Sequence, residues 1–269
     1  MKTRIFIIAI FLAVLVSAAL STWGLTETSE ARYAQISKEM YTSSDFLHPT
    51  LLGIYHYHKP PLTYYITALG YFIFGINETG ARFFLVVALL LQLWLVYKIT
   101  RSFYQEKEVA LASVLIFFSY PIVQAAAKNL TTDAYLTTLI LGAIYSFICY
   151  RQGQKTVFLY LFYLLCGLAF LTKGPVGLMP QALFAIFYSR LFPVKTSAGF
   201  HRYTALLMGL LICFSWFLLL VIDKPELLHY FIKYQVVDRV ASDAFKRTKP
   251  FWYYLETMPL LALPAIFYF

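Results

Sequence analysis

Long apolar runs separated by short polar segments dominate the chain. Crossing the hydrocarbon core of a bilayer takes about 20 residues of α-helix. Apolar runs near that length lie at about 5–23, 83–100, 109–127, 132–150, 156–172, 175–192 and 203–222. The pattern predicts an all-α fold, a polytopic transmembrane helical bundle that forms a single membrane-embedded domain over residues 1–269.

Both ends of the chain leave two interpretations open. An eighth run starts near 255 and is still apolar at Phe269, which is typical either of a truncated fragment or of a short last span. Near the start, Lys2 and Arg4 precede the first apolar run, as in a secretory signal peptide. We favour a retained signal anchor, because the run is long and no small-residue cleavage site leads into a polar mature start.

The apolar segment Leu62–Ile76 decides the predicted topology, because it can either cross the membrane or lie along its surface. If it lies on the surface, ten Lys and Arg residues fall in short inner loops and only Lys128 and Lys173 in short outer loops. Crossing would instead move eight of the ten to the outside, against the positive-inside rule. We therefore expect a surface segment, a cytoplasmic N-terminus and an active face outside the plasma (inner) membrane.

This topology places most acids at the outer face. Of the 13 Asp and Glu residues, only Glu106 and Glu108 remain on the cytoplasmic side. In the first outer loop, Ser29–Tyr41 has apolar residues at helical spacing, so we expect an amphipathic helix in the membrane interface, capped by Thr28 or Ser29. One role for Glu30 is then to interact with the dipole of this helix.

Composition excludes several classes of protein. The chain is 60% apolar and 13% charged, whereas an ordinary soluble domain has about 25% charged residues. Its net charge of +9 is spread between apolar runs, so we expect no nucleic acid partner. Anionic membrane lipids or a lipid-linked phosphate suit these cations better. The cysteines, which all fall in apolar runs, indicate neither disulfides nor zinc: Cys149, Cys166 and Cys213.

Three histidines of the first loop are the remaining candidate ligands. His56 and His58 are two residues apart, so on extended chain they point the same way, and His48 is nearby. No third ligand is fixed by the sequence, and there is no Asp-x-Asp motif for a metal-bound nucleotide sugar. We expect hydrogen-bonding loop histidines, no metal and no cofactor.

An ordered series of short motifs runs along nearly the whole chain. The pieces are Glu30-Ala31-Arg32-Tyr33-Ala34, Ser44-Asp45-Phe46-Leu47-x-Pro49, Lys59-Pro60-Pro61-Leu62-x-Tyr64, Phe74-Gly75, Ala81-Arg82, Thr131-Thr132-Asp133-Ala134, Lys173-Gly174-Pro175-Val176-Gly177 and Lys249-Pro250-Phe251-Trp252-Tyr253-Tyr254. The series resembles the C-type membrane glycosyltransferases, in particular the group of protein O-mannosyltransferases and lipid A aminoarabinose transferases. The specificity of the resemblance lies in the order of the pieces.

The resemblance implies transfer of a sugar from a polyprenyl-phosphate donor to a lipid, glycan or protein acceptor. It implies that Glu30 and Asp133 are catalytic, and that cations bind the donor phosphate: Lys59, Lys173 and Arg239. Four further residues of the motifs would bind substrate: Arg32, Tyr33, Asp45 and Arg82. Such roles fit the chemistry, since cations stabilise a departing phosphate and a carboxylate can take the proton of the acceptor.

Local alternatives accompany these roles. Lys59 can instead anchor the loop to anionic head groups, Asp133 can stabilise a helix dipole, and Lys173 can snorkel at the end of a span. Many members of the group carry an Asp-Glu pair where this chain has Ser29-Glu30, which leaves the base open among Glu30, Glu27 and Asp133.

Two other classes of function remain open. A transporter or flippase for a lipid-linked substrate would show internal repeats and ionisable groups at mid-membrane, and the sequence shows neither. A non-catalytic membrane subunit is compatible with the departure at Ser29 and with the apolar ending at Phe269.

Overall fold

The computed structural model describes residues 22–26, 28–153, 155–194, 199–233, 250, 252–261 and 263. The predicted first span, except for its last two residues, and Arg239 lie outside these residues. The described chain forms eleven α-helices, one two-stranded hairpin and a 3-10 turn. In chain order they are α1 (Ser29–Ser43), β1 (Thr50–Leu51), β2 (Ile54–Tyr55), α2 (Leu62–Phe74), α3 (Glu78–Phe103), α4 (Lys107–Ser119), α5 (Pro121–Lys128), α6 (Thr132–Gly153), α7 (Thr156–Lys173), the 3-10 turn (Gly174–Leu178), α8 (Met179–Leu191), α9 (Phe200–Asp223), α10 (Leu227–Tyr230) and α11 (Trp252–Leu261).

Four helical stretches in the described part of the chain are long and apolar enough to cross a membrane. They are Glu78–Phe103, Thr132–Gly153, Thr156–Leu191 and Phe200–Asp223. Large apolar side chains on their surfaces, such as Trp94 and Leu219, are about half exposed, as expected of side chains that face lipid. The prediction of a polytopic helical bundle is confirmed.

The stretch Thr156–Leu191 turns back on itself and so contributes two passes. Lys173, at the end of α7, reaches Asp133 at the start of α6. The carbonyl of Phe192, just past α8, accepts a hydrogen bond of 2.9 Å from Arg151 near the end of α6. We call the end of the bundle at Asp133 and Lys173 the site end, and the end at Arg151 and Phe192 the opposite end.

The reversal takes place at the 3-10 turn. Gly174 begins it at a φ of +70°, a conformation that side-chain-bearing residues rarely adopt, and Pro175 follows directly. The 3-10 turn and α8 together cover about 30 Å, from rises of about 2.0 and 1.5 Å per residue. The separate spans predicted at 156–172 and 175–192 therefore correspond to α7 and to the turn with α8.

One predicted span is broken. The run 109–127 was expected to be continuous, but α4 and α5 are bent by 65° relative to each other. Tyr120, between them, is extended, with φ of −64° and ψ of 125°. Helical geometry is disfavoured for the residue before a proline, and Pro121 cannot donate a backbone hydrogen bond. The first helix therefore ends at Ser119, and a new helix begins at Pro121.

The helix α2 does not cross the bundle. The residues before it, Lys59 and Pro60, line a cavity together with Lys173 at the site end. Its later residue Gly70 packs against the backbone of Gly80, at the start of α3. Both ends of α2 therefore lie at the site end, and its apolar face is partly exposed, with Phe72 at 71%. At 13 residues, α2 is shorter than the helices that are long enough to cross a membrane, and its position along the membrane surface stays a prediction.

The first loop is built from α1 and the hairpin. The helix predicted at Ser29–Tyr41 is α1, although the expected cap is absent, because Thr28 makes no side-chain capping hydrogen bond. The carboxylate of Glu39 accepts hydrogen bonds from the backbone N–H groups of Leu52 (2.7 Å) and Gly53 (3.2 Å). The hairpin, whose sequence predicted only turn and extended chain, is thereby tied to the side of α1.

Candidate active site

Asp133 and Lys173 form an ion pair at the site end. Asp133 lies in the first turn of α6 and Lys173 in the last turn of α7, where the helix dipoles favour a negative and a positive charge, respectively. Lys173 Nζ is 2.5 Å from Asp133 Oδ1, and the two side chains are 33% and 55% exposed. A ligand can therefore reach both members of the pair.

Lys59 and Lys173 share one cavity of about 310 Å³, which we call the lysine cavity. Lys59 and His58 come from the loop before α2, and Lys173 comes from the end of α7. The other walls are mostly apolar and aromatic: Tyr57, Pro60, Phe170, Gly174, Pro175, Phe214, Trp216, Phe217, Leu218, Val221, Leu228, Phe231 and Ile232. Two cations at one end of an apolar groove suit an amphiphile with an anionic head.

The apolar wall on α9 and α10 is a part of the site that the sequence analysis missed. Phe214, Phe217 and Val221 recur at intervals of three and four residues, so they share one face of α9. The same spacing occurs in any buried or lipid-facing helix, which is why the pattern alone does not mark a ligand site.

The loop that carries Lys59 is fastened to α9. Trp216 Nε1 donates a 3.0 Å hydrogen bond to the carbonyl of Leu47. The ring of His48 bridges two carboxylates, with Nδ1 3.0 Å from Asp45 and Nε2 3.1 Å from Asp223. Burial raises the pKa of Asp45, but the hydrogen bonds from His48 and Leu47 outweigh it and lower the pKa overall. Asp45, predicted to bind substrate, thus lies in the contact that anchors the loop.

Arg32 and Tyr33 lie next to the ion pair. The Tyr33 ring is buried 5.6 Å from the ring of Tyr64, and the Arg32 guanidinium lies 5.8 Å from the Tyr33 ring centre. Burial raises the pKa of Tyr33, the charge of Arg32 opposes this rise and the charge of Asp133 adds to it. Tyr33 is therefore close enough to Asp133 for its pKa to respond to that charge, and Arg32 lies beside Tyr33.

Glu30 and Arg82 form a buried ion pair, which we call the Glu30–Arg82 clamp. Their side chains are 1% and 0% exposed. Arg82 binds both carboxylate oxygens, with Nε 2.7 Å from Oε1 and Nη2 2.8 Å from Oε2. The guanidinium also donates 3.0 Å hydrogen bonds to the carbonyls of Trp23 and Gly24. Full burial of Arg82 is at odds with the predicted role in substrate binding.

The carboxylate of Glu30 has further partners. Oε2 accepts hydrogen bonds from the backbone N–H (2.8 Å) and hydroxyl (2.9 Å) of Thr26, and Oε1 accepts one from the backbone N–H of Leu130 (3.1 Å). Burial alone raises the pKa of Glu30, but the hydrogen bonds, led by those of Arg82, lower it overall. With five donors on two oxygens, Glu30 joins the start of α1 to α3 and to the segment before α6.

The histidine pair lies at the edge of the lysine cavity. His58 is exposed and lines the cavity, and the ring of His56, half-buried, is centred 4.4 Å from the ring of His58. Within the described ranges, no group of three or more His, Cys, Asp or Glu side chains is arranged to hold a metal. Among the predicted site residues, the structure brings together Lys59, Lys173, Asp133, Arg32 and Tyr33.

Comparison with known proteins identifies the family. Residues 58–231, more than half of the chain, match the family described as dolichyl-phosphate-mannose-protein mannosyltransferase. The chain belongs to this family. It is a multi-pass integral membrane protein, as the family and the apolar helices together require.

Curated relatives of the chain share one description. A protein of Sodalis glossinidius named undecaprenyl phosphate-alpha-4-amino-4-deoxy-L-arabinose arabinosyl transferase 1 is 30% identical over 248 residues, covering 89% of this chain and 44% of the relative. A protein of Pseudomonas paraeruginosa named undecaprenyl phosphate-alpha-4-amino-4-deoxy-L-arabinose arabinosyl transferase is 29% identical over 249 residues, covering 91% of this chain and 45% of the relative. The chain spans about half the length of the curated relatives it matches.

Solved structures show the same fold. The crystal structure of ArnT from Cupriavidus metallidurans bound to undecaprenyl phosphate matches the whole chain, with a TM-score of 0.86 and 23% identity, over 50% of that protein. The apo structure of the same protein gives a TM-score of 0.83. The predicted resemblance to this group of membrane glycosyltransferases is therefore confirmed.

Proposed function

We propose that the chain is part of an integral-membrane glycosyltransferase that moves a sugar from a polyprenyl-phosphate donor to a lipid, glycan or protein acceptor. The observation that carries the proposal is the lysine cavity, where Lys59 and Lys173 meet a groove with aromatic and aliphatic walls. The names of the relatives support it, because they specify an undecaprenyl-phosphate-linked aminoarabinose.

In this proposal the donor lies with its phosphate on the two lysines and the first part of its polyprenyl chain along α9. The C–O bond to the phosphate breaks during transfer, so negative charge develops on the departing phosphate. Ammonium groups already in place stabilise that charge without reorganisation. We propose that Arg239, outside the described residues, is a third cation for the same phosphate, as its motif implies.

Of the two acids predicted to be catalytic, only Asp133 is accessible to a substrate. Its side chain is 55% exposed next to Lys173, whereas that of Glu30 is 1% exposed. We propose that Asp133 contacts the sugar and holds Lys173 in place, with Arg32 and Tyr33 beside the sugar. Glu30 and Arg82 then act as positioning residues that fix α1 against α3.

We further propose that the site end faces the outside of the plasma (inner) membrane. Positive charges concentrate at the opposite end of the bundle, which supports a cytoplasmic position for that end. Within the described residues the cations there are Lys98, Arg101, Lys107, Arg151, Lys155, Arg190 and Arg202. The cytoplasmic N-terminus expected from the sequence follows from the same orientation.

Two measurements test the proposed function. Binding of labelled undecaprenyl phosphate to the full-length protein in nanodiscs should weaken by about 10- to 100-fold in Lys59→Ala, since a charge-assisted hydrogen bond contributes about 1.5–3 kcal/mol. Mass spectrometry of lipid A, surface glycans and proteins should show a sugar that is lost on deletion of the gene and is not restored by Asp133→Asn.

The matched control is Lys155→Ala, because Lys155 is an exposed lysine at the opposite end. It should bind undecaprenyl phosphate and restore the sugar like the wild-type protein. Equal binding by Lys59→Ala and wild type, together with an intact sugar in cells that carry Asp133→Asn, would refute the proposed function.

A further inference from the structure

Each acid of the site is already paired with a cation in the structure. The oxygens of Glu30 accept five hydrogen bonds and are shielded from solvent. Asp133 is paired with the Lys173 ammonium, with Nζ 2.5 Å from Oδ1. A general base has to lie within hydrogen-bond reach of the proton it removes.

The histidine pair lies beside the lysine cavity. His58 lines the lysine cavity directly before Lys59, and the His56 ring lies against it with the ring planes 33° apart. The pair follows β2, and the prolines after Lys59 restrict the backbone on its other side. A stiff backbone on both sides favours a fixed position for the two imidazoles at the edge of the cavity.

The surroundings of His56 keep this imidazole in the basic form. Burial, together with the charges of His58 and of Arg32 on α1, lowers the pKa of His56 to about 4. Lys59 and Lys173 add positive charge at the cavity. Near neutral pH, His56 is therefore an uncharged imidazole, and a pKa of about 4 makes it about as strong a base as an ordinary Asp carboxylate.

We propose that the His56–His58 pair accepts the proton of the acceptor nucleophile during sugar transfer, with His58 in contact with the acceptor and His56 as its positioning partner. This inference rests on the proposed function. The acceptor heteroatom forms a bond to the anomeric carbon of the sugar. The bond from that carbon to the phosphate oxygen breaks, the electron pair leaves with the polyprenyl phosphate, and the acceptor proton moves to an imidazole nitrogen of His58.

The proposal has a consequence that needs no turnover. A phosphate that binds at Lys59 brings negative charge next to the pair, which favours the protonated imidazole. At a pH slightly above the His56 pKa of about 4, binding of undecaprenyl phosphate should therefore be accompanied by more proton uptake in the wild-type protein than in His58→Gln, a comparison that cancels the protons exchanged by the phosphate itself. A pH-sensitive dye in weakly buffered nanodiscs measures this uptake directly.

His58→Gln is the central variant. We expect its kcat to fall by about 10²- to 10⁴-fold, as for other general bases, with the KM for the donor within about threefold of wild type. In the wild-type protein kcat/KM should fall on the acid side as the pair becomes protonated, and His58→Gln should lack this limb. His56→Gln should shift the acid limb and lower kcat less than His58→Gln does.

His201→Gln is the matched control. His201 also contacts an aromatic residue, with Nδ1 3.1 Å from the hydroxyl of Tyr160, and it lies at the start of α9, away from the lysine cavity. This variant should keep the kcat, the acid limb and the proton uptake of the wild-type protein. His58→Asn replaces His58→Gln if the latter does not fold.

The outcomes separate this inference from the proposed function. If the wild-type protein neither binds undecaprenyl phosphate nor transfers a sugar, the proposed function fails and the inference with it. If transfer is present but the His58 variants keep the wild-type kcat, acid limb and proton uptake, only the inference is overturned. Loss of donor binding in His58→Gln, with kcat at saturating donor unchanged, would also overturn it, because His58 would then be a phosphate ligand.

Discussion

Replacing Glu30 with Gln probes the Glu30–Arg82 clamp with almost no change in side-chain volume. Oε1 accepts hydrogen bonds from Arg82 Nε and from Leu130, whereas Oε2 accepts hydrogen bonds from Arg82 Nη2 and two from Thr26. Whichever way the new amide is turned, its NH₂ group faces at least two donors. The buried charge of Arg82 also loses its counter-charge.

Both effects contribute to the loss of stability expected in Glu30→Gln. Breaking a buried ion pair by removing one partner costs about 3–5 kcal/mol, because it leaves an uncompensated charge. Both side chains of the clamp are essentially unexposed, so solvent does not screen the loss. We therefore expect Glu30→Gln to lower the free energy of unfolding by about 3–5 kcal/mol. The double variant Glu30→Gln/Arg82→Leu should lose less than the sum of the single variants, since it removes both charges.

The assay is reversible unfolding in mixed micelles of sodium dodecyl sulfate and a mild detergent, followed by circular dichroism. Glu39→Gln is the matched control, because Glu39 lies on the same helix and its carboxylate accepts hydrogen bonds from Gln35, Thr50, Leu52 and Gly53. Those partners are partly or fully exposed, so we expect a loss of no more than about 1 kcal/mol.

The pH dependence of stability provides a second test of the clamp. The pKa of Glu30 is lower in the folded protein than its ordinary value, so the stability from the clamp is fully present above that value and is lost as pH falls through the folded pKa. The wild-type protein should thus lose stability relative to Glu30→Gln below about pH 4. If Glu30→Gln unfolds within about 0.5 kcal/mol of the wild-type protein, or no more easily than Glu39→Gln, the reasoning about the clamp is refuted.

Two predictions concern packing and backbone strain. A Cβ at Gly167 would lie 2.8 Å from Ile212 Cβ, so Gly167→Val should destabilise the α7–α9 contact by about 1–3 kcal/mol. The control is Gly153→Ala, which has open space around the new Cβ and should change the midpoint of unfolding little. Leu52 has a φ of +54° and is 77% exposed, so Leu52→Gly should stabilise the hairpin by about 1 kcal/mol. An unchanged or lower unfolding midpoint in Leu52→Gly would contradict the second prediction.

The membrane spans could be predicted because hydropathy and length determine them. The runs at 83–100, 132–150 and 203–222 lie within α3, α6 and α9, respectively. The bend between α4 and α5 could not be predicted in this way, because the apolar run continues through Tyr120 and Pro121. Hydropathy carries no information about backbone conformation. The proline was visible in the sequence and was the signal for the break.

The partners of the charged residues could be predicted less well, because they depend on contacts between distant parts of the chain. Glu30 and Arg82 are 52 residues apart, and His48 and Asp223 are 175 apart. The local sequence around Glu30 indicates either a helix dipole or a catalytic acid, and nothing in it indicates a buried arginine. Lys59 and Lys173 were assigned to one site only through the order of the family motifs, and their shared cavity supports that assignment.

The charges at the site end differ in how readily they can change partners. The Glu30–Arg82 clamp is buried and neutral as a pair, so it adds no net charge to the site. The accessible groups Arg32, Lys59, Lys173 and Asp133 carry a formal net charge of +2. A phosphate in the lysine cavity would share the partly exposed Lys173 ammonium with Asp133, since the ammonium has three N–H donors. Under the proposed function, donor binding should therefore weaken the Asp133–Lys173 pair while it neutralises the surplus positive charge, and this leaves the Asp133 carboxylate able to turn toward the sugar.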